Sequence, residues 1–384
     1  MVEAGTAAER SPFAELRIGA NTATLLVDGG QAFPAMLRAI AAARSSILCE
    51  TYILRDDGTG WRFARALAAR ARAGVAVHLL YDAWGSSVGE DFLDFLHAAG
   101  VQVLAFRPLR WGGRLGEFVQ RHRRRNHRKV LVVDGRIAFT GGLNLADDYA
   151  APEDGGKGWR DTHVRLEGPV AKELVLPFVR IWRRAGGKPV DLRRFRGLVR
   201  RPDPRVRVIG SPGFKGHRQI RRAYLQAIET ADTRVWITSA YFLPPMRILK
   251  ALRDAARRGV DVQVIVGGTT DVKPVLFASR TLYGPLLKAG VRIHEFHGRV
   301  LHAKTAAVDG RWATVGSSNL DHHSLLVNLE VNAVIEDRRF AEALEELFLA
   351  DLRSTREVTQ ASWRRRTLVE RALSWLAYLF RGWL

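Results

Sequence analysis

The chain has 384 residues, 47% of them hydrophobic, and 60 Lys plus Arg against 39 Asp plus Glu give it a net charge of +21. Length and apolar content exclude a disordered segment or a disulfide-stapled mini-domain, and a single cysteine, Cys49, excludes internal disulfides and Cys-based zinc clusters. The charge surplus favours anionic partners, nucleic acid or acidic membrane, without choosing between them.

In chain order, residues 1–17 are polar with acidic members and lack the basic start and apolar stretch of a secretion signal. No uncharged apolar run reaches the ~20 residues of a spanning helix, so a membrane is expected to be met from one side. Apolar, β-branched runs at 46–54, 76–82 and 101–107 predict strands, with an amphipathic helix over 61–73, the alternation of βαβ units. The order returns as 234–243, a helix over 246–258, then 259–266 and 290–296. Gly74-Val-Ala-Val-His-Leu-Leu answers Gly259-Val-Asp-Val-Gln-Val-Ile, and Tyr52 answers Tyr241. The prolines and charges of 197–205 mark a linker, which predicts a first domain over 11–201, a second over 202–356 and a basic amphipathic tail over 357–384.

Each half carries one sharp motif. His127-Arg128-Lys129 is followed by four residues and Asp134, then six residues and Gly141-Gly142-Leu143-Asn144. His302-Ala303-Lys304 is followed at identical spacings by Asp309 and Gly316-Ser317-Ser318-Asn319. Both stretches read as strands ending in an Asp-Gly turn, so His and Lys at i and i+2 share a face. Each half then offers an imidazole, an ammonium and a carboxamide, a set suited to an anionic tetrahedral group.

Two imidazoles across a phosphodiester suit covalent catalysis: one attacks phosphorus, the other protonates the leaving alkoxide and later deprotonates the incoming hydroxyl. Lys129, Lys304, Asn144, Asn319 and Ser317 are expected to hold the phosphate oxygens, with no metal and no cofactor called for. Only nine of the 60 cationic residues are lysines, yet two occupy equivalent motif positions, where a compact point charge is the distinguishing property. His294, His297, His322 and His323 superficially resemble metal-ligand spacing but lack supporting ligands.

The doubled motif resembles the signature of the phospholipase D superfamily over roughly residues 15 to 350, with the second copy in a Gly-Ser-x-Asn form. That resemblance implies two similar α/β halves, each a mixed, mostly parallel sheet flanked by helices, with an active site at their pseudo-twofold interface. It also implies that Asp134 and Asp309 are structural or hydrogen-bonding groups. A carboxylate is expected to fix each histidine's tautomer, with Glu330 matching the family's acidic position after the second motif and Asp161 its counterpart for the first half.

Five phrases, at 50–54, 124–135, 141–149, 159–169 and 315–330, resemble bacterial cardiolipin synthases, in particular the class without N-terminal membrane helices. The segment 239–245 departs from that pattern in the residues around its tyrosine and prolines. The resemblance implies transfer of a phosphatidyl group through phosphohistidine to phosphatidylglycerol, with phosphatidylethanolamine a further candidate donor. It also implies a peripheral position on the cytoplasmic face of the bacterial cell membrane. A hydrolysing phospholipase D and a nuclease of the superfamily are the alternatives. No specific nucleic acid is expected, because the tryptophans gather in the C-terminal tail (Trp363, Trp375, Trp383) instead of interleaving with the basic residues.

Three segments bear on lipid contact. Leu368, Ala372, Trp375, Leu376, Leu379, Phe380 and Trp383 recur at helical spacing after Trp363-Arg364-Arg365-Arg366, the pattern of an interfacial helix or of one docked on its own protein. The loop 108–120 either lines a substrate entrance or simply connects elements. Arg121, Arg123, Arg124 and Arg125 form either a lipid-recognising patch, favoured by their closeness to His127, or a solvated surface.

Overall fold

A computed structural model describes residues 13–108, 124–195, 203–210, 218–270 and 272–379. They divide into two compact units that are discontinuous in sequence: Lys129–Val206 joins the residues before 109, while Arg124–Arg128 joins the residues after Arg207. His127 therefore travels with the second unit, although chain order alone assigned it to the first. The loop 108–120 beyond Pro108, together with Arg121, Arg123, Phe380 and Trp383, lies outside the described residues.

The first unit is built on eight strands: β1 (Leu16–Ile18), β2 (Asn21–Val27), β3 (Ser46–Thr51), β4 (Ala76–Asp82), β5 (Gln102–Phe106), β6 (Val130–Val133), β7 (Ile137–Gly141) and β8 (Thr162–Glu167). They run in the order β1-β2-β8-β7-β6-β3-β4-β5. β3, β4 and β5 are parallel, joined through the helices α1 (Asp28–Ala41, preceding β3), α2 (Gly58–Arg72) and α3 (Glu90–Ala98), while β6, β7 and β8 are antiparallel. A fourth helix, α4 (Val175–Arg184), follows β8. Every residue of β3 is buried, as expected of an interior strand covered on both faces.

α2 shows how local sequence sets an element. Asp57 caps its start by accepting the Gly60 N–H at 3.0 Å, and Phe63, Ala64, Leu67 and Ala68 form the buried stripe at helical spacing. Gly74 stops the chain's helical course at φ +85°. Burial of Phe63 and Leu67 stabilises the layer by about 2 kcal/mol each.

The second unit repeats the plan. Its strands are β9 (Val206–Gly210), β10 (Arg234–Ser239), β11 (Phe242–Leu243), β12 (Asp261–Gly267), β13 (Arg292–Phe296), β14 (Lys304–Val308), β15 (Trp312–Gly316), β16 (Leu320–Asp321), β17 (Val331–Ile335) and β18 (Thr355–Val358). Eight of them run β18-β13-β12-β10-β14-β15-β17-β9, and β11 pairs separately with β16. Read from β9, this is the first sheet's order from β2, with β18 added beyond β13. Its helices are α5 (Arg218–Glu229), α6 (Met246–Arg257), α7 (Lys273–Arg280), α8 (Tyr283–Lys288), α9 (His322–Leu326), α10 (Arg338–Leu352), α11 (Gln360–Arg364) and α12 (Leu368–Leu379). The strand and helix positions expected in both copies are present, within a few residues at their ends.

Candidate active site

Each motif is anchored by its aspartate. Asp134 and Asp309 sit in the left-handed region at φ 51° and 52°, each followed by a glycine at positive φ, the pair a tight hairpin needs between β6 and β7 and between β14 and β15. Asp134 accepts the N–H groups of Arg44, Ser45 and Ser46 at 2.8–2.9 Å, binding the hairpin to the start of β3. Asp309 accepts those of Asp232, Thr233 and Arg234 at 2.8–3.0 Å before β10, and the Thr233 hydroxyl at 2.8 Å.

Burial alone would raise the Asp309 pKa, but the amides of Arg234, Asp232 and Thr233 outweigh it and pull the group from its ordinary 3.8 to about 2. A carboxylate whose folded pKa is depressed contributes stability above its unfolded value, and that contribution fades as pH falls from about 4 through about 2. Asp309→Asn should therefore cost about 2 kcal/mol near neutral pH and progressively less below about pH 4. Urea unfolding of both proteins across that range tests this, and a pH-independent difference would contradict the clamp.

The glycines before each asparagine answer a close approach. A Cβ on Gly141 would lie 2.4 Å from His163 Nδ1, and one on Gly316 would lie 2.2 Å from Asn332 Oδ1, on the partner strands β8 and β17. The next position differs between copies. In the first it is Gly142, where a Cβ would lie 2.0 Å from Asp161 Oδ1; in the second it is Ser317.

Ser317 and Glu330 define the chemistry of the second unit. Glu330, wholly buried, meets His127 Nδ1 through Oε1 at 2.9 Å and accepts the Ser317 hydroxyl through Oε2 at 2.5 Å. A carboxylate only accepts, so His127 Nδ1 carries the proton and Nε2 presents the lone pair. The backbone holds the same alignment: His127 N–H donates to the Leu329 carbonyl at 3.0 Å, and Leu329 N–H to that of Arg125 at 2.9 Å.

Two expectations are corrected here. Glu330 serves His127, where the reading by halves paired His127 with Asp161, because residues 124–128 lie alongside 328–330. Ser317, expected on the phosphate, has its hydroxyl committed to Glu330 and also accepts the Val331 N–H at 3.1 Å. Asp161 is buried in the first unit, where its side chain accepts the Thr162 N–H at 2.7 Å and its own N–H donates to Asp28 at 2.8 Å.

The remaining predicted residues are buried: Lys129 and His302 just before the motif strands, Lys304 at the start of β14, and the asparagines on the loops after β7 and β15. Lys129 Nζ stands 5.2 Å from the centre of the Tyr52 ring, while Lys304 Nζ donates to the His302 carbonyl. His302 is 4% exposed. Asn144 Oδ1 accepts the Ile53 N–H at 3.0 Å and its Nδ2 donates to the Tyr149 hydroxyl at 2.7 Å; Asn319 Oδ1 makes the matching bond to Tyr241 N–H at 3.4 Å. Arg125, read as part of a lipid patch, is buried, and its N–H donates to Asn328.

Sequence reasoning missed the contribution of Tyr52 to Lys129. The signal available was the tyrosine's place directly after β3; the repeat matched Tyr52 with Tyr241, whereas the structure puts Ala240 at the equivalent point after β10 and Tyr241 opposite Ile53. His163 was also missed; burial, opposed by Asp161 and reinforced by Lys129, lowers its pKa to about 4 and keeps it neutral. His294 binds Gln263 Oε1 at 3.1 Å, and among the described residues no group of three or more His, Cys, Asp or Glu side chains is arranged to hold a metal.

A doubled α/β unit with two buried His-x-Lys motifs, each leading into an interior strand of a sheet, β6 or β14, defines a phospholipase D-type enzyme. The family model described as cardiolipin synthase, PLD-like domain, matches residues 36–153 and 224–352, one block in each copy, and the chain belongs to that family. It is 38% identical over 338 residues to cardiolipin synthase B of Escherichia coli (strain K12), covering 85% of this chain and 79% of that one. It is 33% identical over 353 residues to the cardiolipin synthase of Halalkalibacterium halodurans, covering 91% of this chain and 69% of the relative. Among solved structures, phosphatidylserine synthase of Haemophilus influenzae Rd KW20 shares the fold, with a TM-score of 0.71, 14% identity, and coverage of 96% and 94% of the two chains.

Proposed function

We propose that the chain makes cardiolipin by phosphatidyl transfer through a covalent phosphohistidine, with His127 as the nucleophile. The observation that carries the assignment is the buried Glu330–His127 bond, which fixes the proton on Nδ1 and leaves the Nε2 lone pair for phosphorus. Attack forms the N–P bond and breaks the P–O bond to the donor's headgroup alkoxide, which takes a proton from His302. The glycerol hydroxyl of phosphatidylglycerol then gives its proton to His302 and attacks phosphorus, and the N–P bond breaks. Lys129 and Lys304 offset charge on the phosphoryl oxygens, with the Asn144 and Asn319 amides as further donors.

Phosphatidylglycerol serves as acceptor and as a donor, with phosphatidylethanolamine the second candidate donor. The enzyme works peripherally at the cytoplasmic face of the cell membrane; among the described residues no helix is long and apolar enough to cross one. Purified protein incubated with phosphatidylglycerol liposomes, with and without phosphatidylethanolamine, should yield cardiolipin and glycerol by mass spectrometry and leave single-stranded DNA intact. Phosphatidic acid as sole product would assign hydrolysis, and cut DNA without lipid turnover would assign a nuclease.

A further inference from the structure

The helix α12 rests on the second unit along one narrow side. Ser374 is buried and its carbonyl accepts the Thr281 hydroxyl at 3.0 Å, while Ala377 and Tyr378 pack against the core that includes Val275 and Ala278 of α7. At about 100° per residue these three positions fall on one face. A reciprocal pair between Thr367 and Glu370 fixes the helix start, with Thr367 N–H donating to Glu370 at 2.9 Å and Glu370 N–H to Thr367 at 3.2 Å.

The opposite side carries Leu368, Val369, Leu373, Trp375, Leu376 and Leu379, all between 44% and 79% exposed. On the same wheel no charged side chain falls between them; Glu370 falls on the docked side and Arg371 at its margin, next to Tyr378. A continuous apolar stripe left outward on a helix already docked by its other side calls for a second apolar surface.

Charge identifies that surface. Arg364, Arg365 and Arg371 are exposed around the stripe, on a chain of net charge +21. A second copy of the same face would oppose like charges, whereas an anionic bilayer supplies both an apolar interior and negative headgroups. Because the helix is held lengthwise on its own unit through Ser374, Ala377 and Tyr378, its outer face can meet such a surface only in the plane of the interface.

We propose that α12 is a membrane-docking ridge: it stays folded on its own unit through Ser374, Ala377 and Tyr378 and lays its outer face into the headgroup zone of an anionic phospholipid bilayer. Trp363, in contrast, faces inward against Tyr283, with ring centres 5.1 Å apart, and contributes to the scaffold. The proposal rests on the lipid-enzyme reading above, but the two fail separately, since flotation reads the surface and product analysis reads the chemistry.

The test uses full-length protein floated with phosphatidylcholine vesicles, with or without phosphatidylglycerol. The wild type should float with the anionic vesicles, and Leu376→Asp combined with Leu379→Asp should lower the bound fraction about tenfold with an unchanged melting temperature. Leu376→Ser with Leu379→Ser, tested in parallel as the milder pair, should move binding in the same direction. Turnover of short-chain phosphatidylglycerol dispersed as monomers should stay within about twofold of wild type, because the exposed stripe is separate from the motif residues. Undiminished flotation of both variants would overturn the proposal. So would a wild-type dimer that both variants convert to monomer while vesicle binding is unchanged, since the face would then belong to a second copy.

Discussion

His127→Ala and His302→Ala should each reduce cardiolipin formation by about 10⁴-fold or more while leaving the melting temperature within a few degrees of wild type. Neither alanine creates an unsatisfied buried donor on its own side chain. His127→Ala does remove a buried hydrogen-bond partner of Glu330, so it should be the less stable of the two, by about 1–3 kcal/mol. The mutants should differ in their chemistry as well. With His127 as nucleophile, His127→Ala should yield no acid-labile, base-stable phosphoenzyme from labelled phosphatidylglycerol. His302→Ala should form it slowly from a donor with an activated leaving group that needs no general acid. Label trapped on His127→Ala, and absent from His302→Ala, would reverse the roles proposed here.

Glu330→Gln should lower turnover by about 10³-fold with little change in KM. The side chain keeps its shape within a fully buried site, and an amide oxygen can still meet His127 Nδ1. What is lost is the negative charge that favours the Nδ1–H tautomer and stabilises the imidazole as it gains positive character on attack. Ser317→Ala removes only the hydroxyl that holds the other carboxylate oxygen and should cost about tenfold. Its effect should largely disappear in the Glu330→Gln background, a coupling that a purely structural serine would not show. Equal losses from Ser317→Ala in both backgrounds would remove the serine from the positioning chain, and wild-type turnover in Glu330→Gln would remove the carboxylate.

The two copies therefore perform unequal tasks on one plan. Asp161 beside Gly142 and Glu330 beside Ser317 are matched alternatives for the same space. The shorter carboxylate backs onto a residue with no Cβ, and the longer one reaches a histidine while a serine occupies its flank. Lys129 has the Tyr52 ring near its ammonium, and the equivalent neighbour of Lys304 is Ala240. Such differences are invisible to a motif that scores only His, Lys, Asp and Asn.

Much of the plan was nevertheless legible in the amino-acid order, because it is carried by short-range chemistry. The alternation of strands with Ala/Arg helices and the Asp-Gly turns are set within a few residues by backbone sterics and side-chain period, and both appear where the pattern puts them, although β6 and β14 begin only at Val130 and Lys304, after the histidines. The doubled spacing from histidine to asparagine also pointed to phosphodiester chemistry before any fold was known. Only the tertiary structure could decide which carboxylate serves His127, since 203 residues separate it from Glu330 and the bond depends on residues 124–128 joining the second unit. Composition likewise grouped Trp363 with Trp375, yet one lies half-buried against Tyr283 and the other faces outward on α12. Local sequence determines an element and its apolar stripe; what covers that stripe depends on which distant surfaces the folded chain brings to it.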